Sequence, residues 1–106
     1  MSKYQLQVAR TIAHHPNQQF NLAILGLGLA GEAGEAADII KKHVGHGHPL
    51  AQQDLFEELG DVMWYIAAIA ESIHVTLDSI ADFNIEKLRK RYPEGFSQEA
   101  SINRVG

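Results

Sequence analysis

Two pairs of carboxylates stand three residues apart, Glu32 with Glu35 and Glu58 with Asp61, each inside a stretch of helical periodicity. Side chains at that spacing share a helix face, with Cβ atoms about 5–6 Å apart. In the earlier stretch the apolar stripe Leu22, Leu25, Leu29, Ala36 and Ile40 passes close to Glu32, with Glu35 one turn further on at its edge. In the later one Leu55, Leu59, Val62, Ile66, Ile69 and Ile73 form the predicted core face, and Glu58, Asp61 and Tyr65 lie along one edge of it. Glu57 points nearly the opposite way and reads as solvated or as supporting the site from behind its ligands, outside the constellation itself, and Asp38 reads as an ordinary surface acid. Further along, Asn84, Lys87 and Arg91 share the side of Ile80 and Leu88. Acids from two helices and bases from a third therefore face inward.

Placing carboxylates beside an apolar core is costly unless they are paired or bind a cation. Salt bridges to Lys87 or Arg91 are the plain structural reading, but one basic cluster cannot conveniently neutralise four acids. Hard divalent cations can. Magnesium prefers carboxylate oxygen and keeps several waters, leaving coordination positions for phosphate oxygens. Four acids with magnesium, flanked by Lys and Arg, suit a polyphosphate substrate whose leaving group gains negative charge during cleavage.

The elements that must position these groups are four helices. Ser2 to about His14 is expected to form the first, stopped by His15-Pro16 because the residue before a proline avoids helical angles. Asn17 caps a second, from about Gln18 to His43, which carries Gly26, Gly28, Gly31 and Gly34; close helix packing explains four such small residues better than a phosphate loop, since no preceding strand or Lys-Ser/Thr follows the pattern. Pro49 opens a third, about Leu50 to Ile73, and Thr76 caps a fourth, Leu77 to about Tyr92, ended by Pro93-Glu94-Gly95. Phe96 to Gly106 reads as a polar tail without periodicity. Trp64 points away from the third helix's main stripe, which implies a second burial surface, and a homo-oligomer is one way to supply it. The fold class expected is all-α, a four-helix-bundle type of single domain completed by homo-oligomerisation, with residues 1–96 as the domain and 97–106 as the tail.

Composition narrows the function classes. A chain of 106 residues holds one domain, and 45% apolar and 21% charged residues with three prolines describe a globular one. The absence of cysteine excludes thiolate zinc sites and a cysteine nucleophile, and it fits the cytoplasm. A net charge of −4 argues against nucleic acid as partner, although Lys87, Arg89, Lys90 and Arg91 form a local basic cluster. The first residues form no signal-peptide pattern, and no apolar run approaches the roughly 18 residues of a membrane span.

The ordered set of motifs resembles the MazG-like all-α nucleoside triphosphate pyrophosphohydrolases. Their Glu-x-x-Glu, spacer, Glu-x-x-Asp pattern stands here as Glu32-Ala-Gly-Glu35 and Glu58-Leu-Gly-Asp61. The flanking text, Gly28-Leu-Ala-Gly before Glu32, Lys41-Lys42 after Glu35, Val62-Met-Trp-Tyr65 after Asp61, Asn84-Ile-Glu-Lys87 and Arg91-Tyr-Pro-Glu-Gly-Phe96, extends the likeness over roughly residues 4–96. The resemblance implies magnesium-dependent cleavage of a (d)NTP between the α and β phosphates, with manganese able to substitute, giving (d)NMP and pyrophosphate in nucleotide-pool house-cleaning. It implies Glu32, Glu35, Glu58 and Asp61 as metal ligands, with Glu35 and Glu58 as catalytic groups. Asn84, Lys87 and Arg91 would hold phosphates or sugar, and Tyr92 and Trp64 base or interface contacts. It also implies a homodimer or homotetramer, and the single motif set places the chain in the short, single-domain branch.

Three rival readings are weighed beside it. His43, His46 and His48 have a spacing that can bind zinc or nickel, but a solvated loop accounts for them without a fourth ligand. A di-iron bundle wants Glu-x-x-His on two helices, and only Glu71-Ser-Ile-His74 fits that spacing. A non-catalytic helical module would bind a nucleotide or protein through the same acidic cleft, and against it stand the four intact acids.

Overall fold

The computed structural model describes residues 2–103 of the chain. Among these every regular element is helical: α1 (Lys3–Ala9), α2 (Gln18–His46), α3 (Gln52–Ser72), α4 (Leu77–Arg91) and the short α5 (Gln98–Ile102). The all-α class expected from periodicity is what the chain adopts. Asn17 and Thr76 cap as their side chains suggest, accepting from Phe20 N and Ser79 N, each at 3.0 Å.

Three boundaries and the tail differ from expectation, each for a local reason. α1 ends at Ala9 instead of continuing to His14, because Thr11 turns back on the helix. Its N–H and its hydroxyl both donate to the Val8 carbonyl, at 2.9 Å and 2.8 Å, which closes a tighter turn. α2 outlasts His43 by one turn, to His46, where Gly47 adopts φ 72 and the His48 N–H returns to Lys42 O at 3.1 Å. Ending α2 in this way leaves residues 48–51 outside any helix, with the Gln52 N–H closing on Leu50 O at 2.9 Å, so α3 starts at Gln52, after the expected Leu50. The tail carries the one-turn α5, which its sequence pattern did not announce.

α2 and α3 form the main helix pair, and α1 packs on α3. Contacts run in opposite directions along both pairs. Asn21 meets Ser72 and Gly28 meets Tyr65, while on the other side Gln5 reaches Glu71 and Thr11 reaches Trp64. Both α1 and α2 are thus antiparallel to α3. The core between them is small: Val8, Leu25, Ala67 and Ala68 are buried, with Ile12, Trp64, Tyr65, Ile69 and Leu77 packed against them.

The predicted core face of α3 is only partly used. Leu59, Ile66 and Ile73 remain 46%, 37% and 48% exposed, while the alanines Ala67, Ala68 and Ala70 are buried. The physical reason is that α4, the helix a closed bundle would lay over that stripe, has no buried residue. The radius of gyration of 17.0 Å reflects this open arrangement, against about 13 Å for a compact chain of similar length. Trp64 packs within its own chain against the core cluster, and its Nε1 donates to Oγ1 of Thr11 in the turn after α1, at 2.7 Å.

Of the helical glycines in α2, Gly28 is the one whose lack of a side chain brings the helices together. A Cβ there would lie 2.2–2.7 Å from the ring and hydroxyl of Tyr65, which also meets Trp64 edge-on at 5.0 Å. Gly26, Gly31 and Gly34 border open space, so the packing reading holds at Gly28 and not at those three. Gly28→Ala is therefore expected to cost about 1–3 kcal/mol in urea unfolding through overpacking. Gly26→Ala is expected to gain up to about 1 kcal/mol from helix propensity in the same assay.

Candidate metal centre

The antiparallel register that sets Gly28 against Tyr65 carries Glu32, one turn later on α2, to the level of Asp61 and Glu58 on α3. One carboxylate oxygen from each of Glu32, Glu58 and Asp61 lies within 4.8 Å of the others. Glu32 and Glu58 are half-buried and Asp61 is exposed, so the cluster opens to solvent on one side. Glu58 is its electrostatic centre. Its Oε2 is buried and meets no donor, and its pKa is pushed from an ordinary 4.5 up to about 7. The largest cause is a hydrogen bond with Glu32, which two carboxyls can make only by sharing a proton; burial follows, then the charges of Glu32, Asp61 and Glu35.

An acceptor-only cluster with a buried, unpartnered oxygen and one carboxyl driven to keep its proton matches what a hard divalent cation requires. Among the described residues, the charges that act on the Glu58 carboxyl are those of the acids Glu32, Asp61 and Glu35. The Lys42 ammonium is taken by Asp38 at 2.9 Å, the surface acid expected, whose carboxyl it holds below the ordinary range. Arg89 pairs with Glu86 at 3.4 Å on α4.

Glu35 stands outside the convergent trio, exposed one turn along α2, with its charge still reaching Glu58. Asn84 and Lys87 are exposed on α4, which does not fold over the acids; Arg91 and Tyr92 are half-buried at its end, where the Tyr92 ring lies 5.4 Å from Phe96. Trp64 and Tyr65 wall a cleft of about 430 Å³ with Thr11, His15, Asn21 and Leu25, beginning one helical turn beyond Asp61. Tyr4 was legible only as an apolar position of α1. Burial and, after it, the Asp61 charge raise its phenol above the ordinary value, so α1 also borders the acids.

The rival metal sets do not assemble. His43 Nδ1 meets the His48 carbonyl at 2.8 Å, as a donating ring N–H, and the His46 and His48 rings stand 6.4 Å apart. Glu71 accepts from Gln5 Nε2 at 3.2 Å. Among the described residues the only convergent group of three or more acids or histidines is Glu32, Glu58 and Asp61.

Comparison with known proteins bears on the same stretch of chain. The MazG nucleotide pyrophosphohydrolase domain matches residues 20–96, which include all three converging acids. The chain belongs to this family. The Gene 37 protein of Mycobacterium phage L5 is 39% identical over 87 residues, covering 78% of this chain and 76% of the phage protein, under a name that states no activity. No solved structure matches the chain. As a MazG-family domain it is expected to use a metal, and the fit of Glu32, Glu58 and Asp61 agrees with that.

Because the fold holds the Glu58 proton up to about 7, a divalent cation must displace it at lower pH. Calorimetric titration with magnesium is expected to show affinity rising through pH 6 to 8, with proton release at pH 6 that fades by pH 8. Without metal, the raised pKa favours the folded state below about 4.5, and that contribution is lost as pH rises through about 7. Glu58→Gln is therefore expected to raise the melting temperature of the metal-free protein at pH 8 while abolishing magnesium binding.

Proposed function

We propose that the chain is a magnesium-dependent nucleoside triphosphate pyrophosphohydrolase that cleaves (d)NTPs between the α and β phosphates, manganese substituting for magnesium. The observation that carries this reading is the convergence of Glu32, Glu58 and Asp61 around a buried, unpartnered carboxylate oxygen in a MazG-family chain. The bound cation supplies charge neutralisation for the triphosphate and for the pyrophosphate that leaves. Glu32, Glu58 and Asp61 hold it, and Glu35 completes the set from the solvent side, where it takes the proton of the attacking water. Water oxygen attacks the α phosphorus, the bond to the α–β bridging oxygen breaks, and its electron pair leaves with pyrophosphate.

The base and sugar occupy the cleft beside Asp61. Its polar side chains are largely spent internally: Asn21 Nδ2 donates to Ser72 Oγ at 2.8 Å, and Thr11 binds both Val8 O and Trp64. Its walls are mainly apolar and aromatic, as a nucleobase requires. Trp64 contributes its ring there, and Tyr65 stands between cleft and acids.

Asn84, Lys87, Arg91 and Tyr92 on α4 act on the phosphates and sugar. The working form is a homodimer or homotetramer, because one chain leaves Leu59, Ile66 and Ile73 of α3 and Phe83 of α4 exposed, the last at 78%. Residues 1–96 form the catalytic domain and 97–106 an appended tail. No helix among the described residues is long and apolar enough to cross a membrane, consistent with a cytoplasmic role in clearing nucleotides.

Product analysis tests this directly. With magnesium, each common NTP and dNTP is to be resolved into mono- and diphosphate with pyrophosphate assayed, and EDTA as control. Monophosphate plus pyrophosphate from at least one nucleotide is expected, and none from Glu58→Gln, whose helicity by circular dichroism stays at the wild-type level. Binding without turnover would favour a non-catalytic module instead.

A further inference from the structure

The first turn of α4 is tied into the core of the molecule. The helix has no buried residue, and Leu77, its first, is the one that packs against the Val8, Leu25, Ala67 and Ala68 cluster. The same residue receives a second tether. Gln5 of α1 is completely enclosed, the largest fully buried side chain among the described residues. Its Oε1 accepts the Leu77 N–H at 2.8 Å, and its Nε2 donates to Val75 O at 2.9 Å and to Glu71 Oε1 at 3.2 Å. One carboxamide therefore grips the last turn of α3, the linker and the first residue of α4. The linker between them is unusually bent, with His74 at φ 62, outside the usual range for a residue with a side chain.

A buried amide is tolerated only when its donors and acceptor are met, so these three bonds define one geometry and penalise others. A change of direction at Leu77 is amplified along the helix, since Lys87 lies ten residues on and about 15 Å along the axis.

We propose that Gln5 is a positioning residue that sets the angle at which α4 leaves α3, and through it the place at which Asn84, Lys87 and Arg91 meet the polyphosphate. The link to substrate rests on the pyrophosphohydrolase reading above, whereas the control of the helix angle does not. Gln5 touches no reacting atom in this account.

The chain has no cysteine, so paired spin labels can be placed at Ala37→Cys and Lys90→Cys, both exposed, and diluted with unlabelled protein to silence distances between chains. Two variants cut the tether differently. Gln5→Leu keeps the volume and removes all three bonds. Leu77→Pro removes the N–H at the first position of a helix, where proline is accepted, after Thr76, already extended at ψ 154. Because it also removes the Leu77 side chain from the core cluster, Leu77→Ala, which loses that packing but keeps the N–H, is its control and is expected to leave the distance distribution nearer to wild type. Gln5→Leu and Leu77→Pro are both expected to shift or broaden the label distance while helicity and magnesium binding stay at wild-type values. In unlabelled protein, KM for the best nucleotide is expected to rise about fivefold, the scale of one lost hydrogen bond, with a smaller change in kcat. Gln5→Asn, too short to span the three partners, is not expected to rescue either readout. An unchanged distance distribution in Leu77→Pro would overturn the proposal even if Gln5→Leu fails to fold, and so would a shifted distribution with unchanged KM in an active enzyme. If the wild type turns over no nucleotide, the pyrophosphohydrolase reading fails by itself and the distances alone decide whether Gln5 sets the helix angle.

Discussion

Three carboxylates drawn together on the seam of two helices is the constraint around which this molecule is arranged. Glu32 from α2 meets Glu58 and Asp61 from α3, and among the described residues the charges felt at Glu58 are all acidic. Like charges at this range repel strongly wherever burial lowers the local dielectric. The metal-free chain relieves the repulsion by retaining a proton on Glu58. A divalent cation held by the same oxygens would relieve it more completely. Folding stability is thus surrendered at the acids and recovered elsewhere, the pattern expected of a functional site.

The recovery lies in how tightly α2 and α3 approach just beyond the acids. Gly28 lets the Tyr65 ring lie on the α2 backbone, and Trp64, held by Thr11 in the turn after α1, braces that ring. At the far end, Asn21 and Gln18 bond Ser72, through its hydroxyl and its carbonyl, both at 2.8 Å. These contacts pin the antiparallel register, and a shift of one residue on either helix would rotate a carboxylate about 100° away from its partners. The site therefore depends on packing about one to three turns away from it as much as on its own residues. The apolar stripe on α3 stays partly exposed in one chain, and the first turn of α4 is tied down by the Leu77 side chain and by the buried Gln5 amide.

Much of this was legible in the chain. The helix caps Asn17 and Thr76, the Pro93 stop after α4 and the Glu58 and Asp61 pair carry their physics locally and reappear in the structure, whereas α1 ends at Ala9, well before Pro16, and Glu35 stays outside the converging acids. The motif order around Glu32, Glu35, Glu58 and Asp61 carried the family, which the match over residues 20–96 establishes. What periodicity could not show was tertiary. It assigned the α3 core to the large residues of one stripe, whereas alanines do most of the burying because α1 and α2 approach closely there. It treated the glycines of α2 alike, although only Gly28 meets a neighbour. It placed Lys87 on the same inward side as the acids, since helical phase says nothing about where a loosely anchored helix points. Gln5, a polar residue on a short amphipathic helix, gave no sign that its amide would be fully enclosed, because its partners lie 66 to 72 residues away. Glu35 shares a helix face with Glu32 and falls level with Glu58 in this register, yet its side chain is exposed and stays outside the convergent trio.

The central claim is that Glu32, Glu58 and Asp61 form a divalent-cation site. Crystals of the protein soaked in manganese and measured at an energy where manganese scatters anomalously would locate the ion directly. The account predicts a strong anomalous peak bounded by oxygens of these three side chains, absent from Glu58→Gln crystals treated in the same way. A peak at the His43 to His48 loop with none among the acids, or no peak at all from manganese-saturated protein, would contradict it.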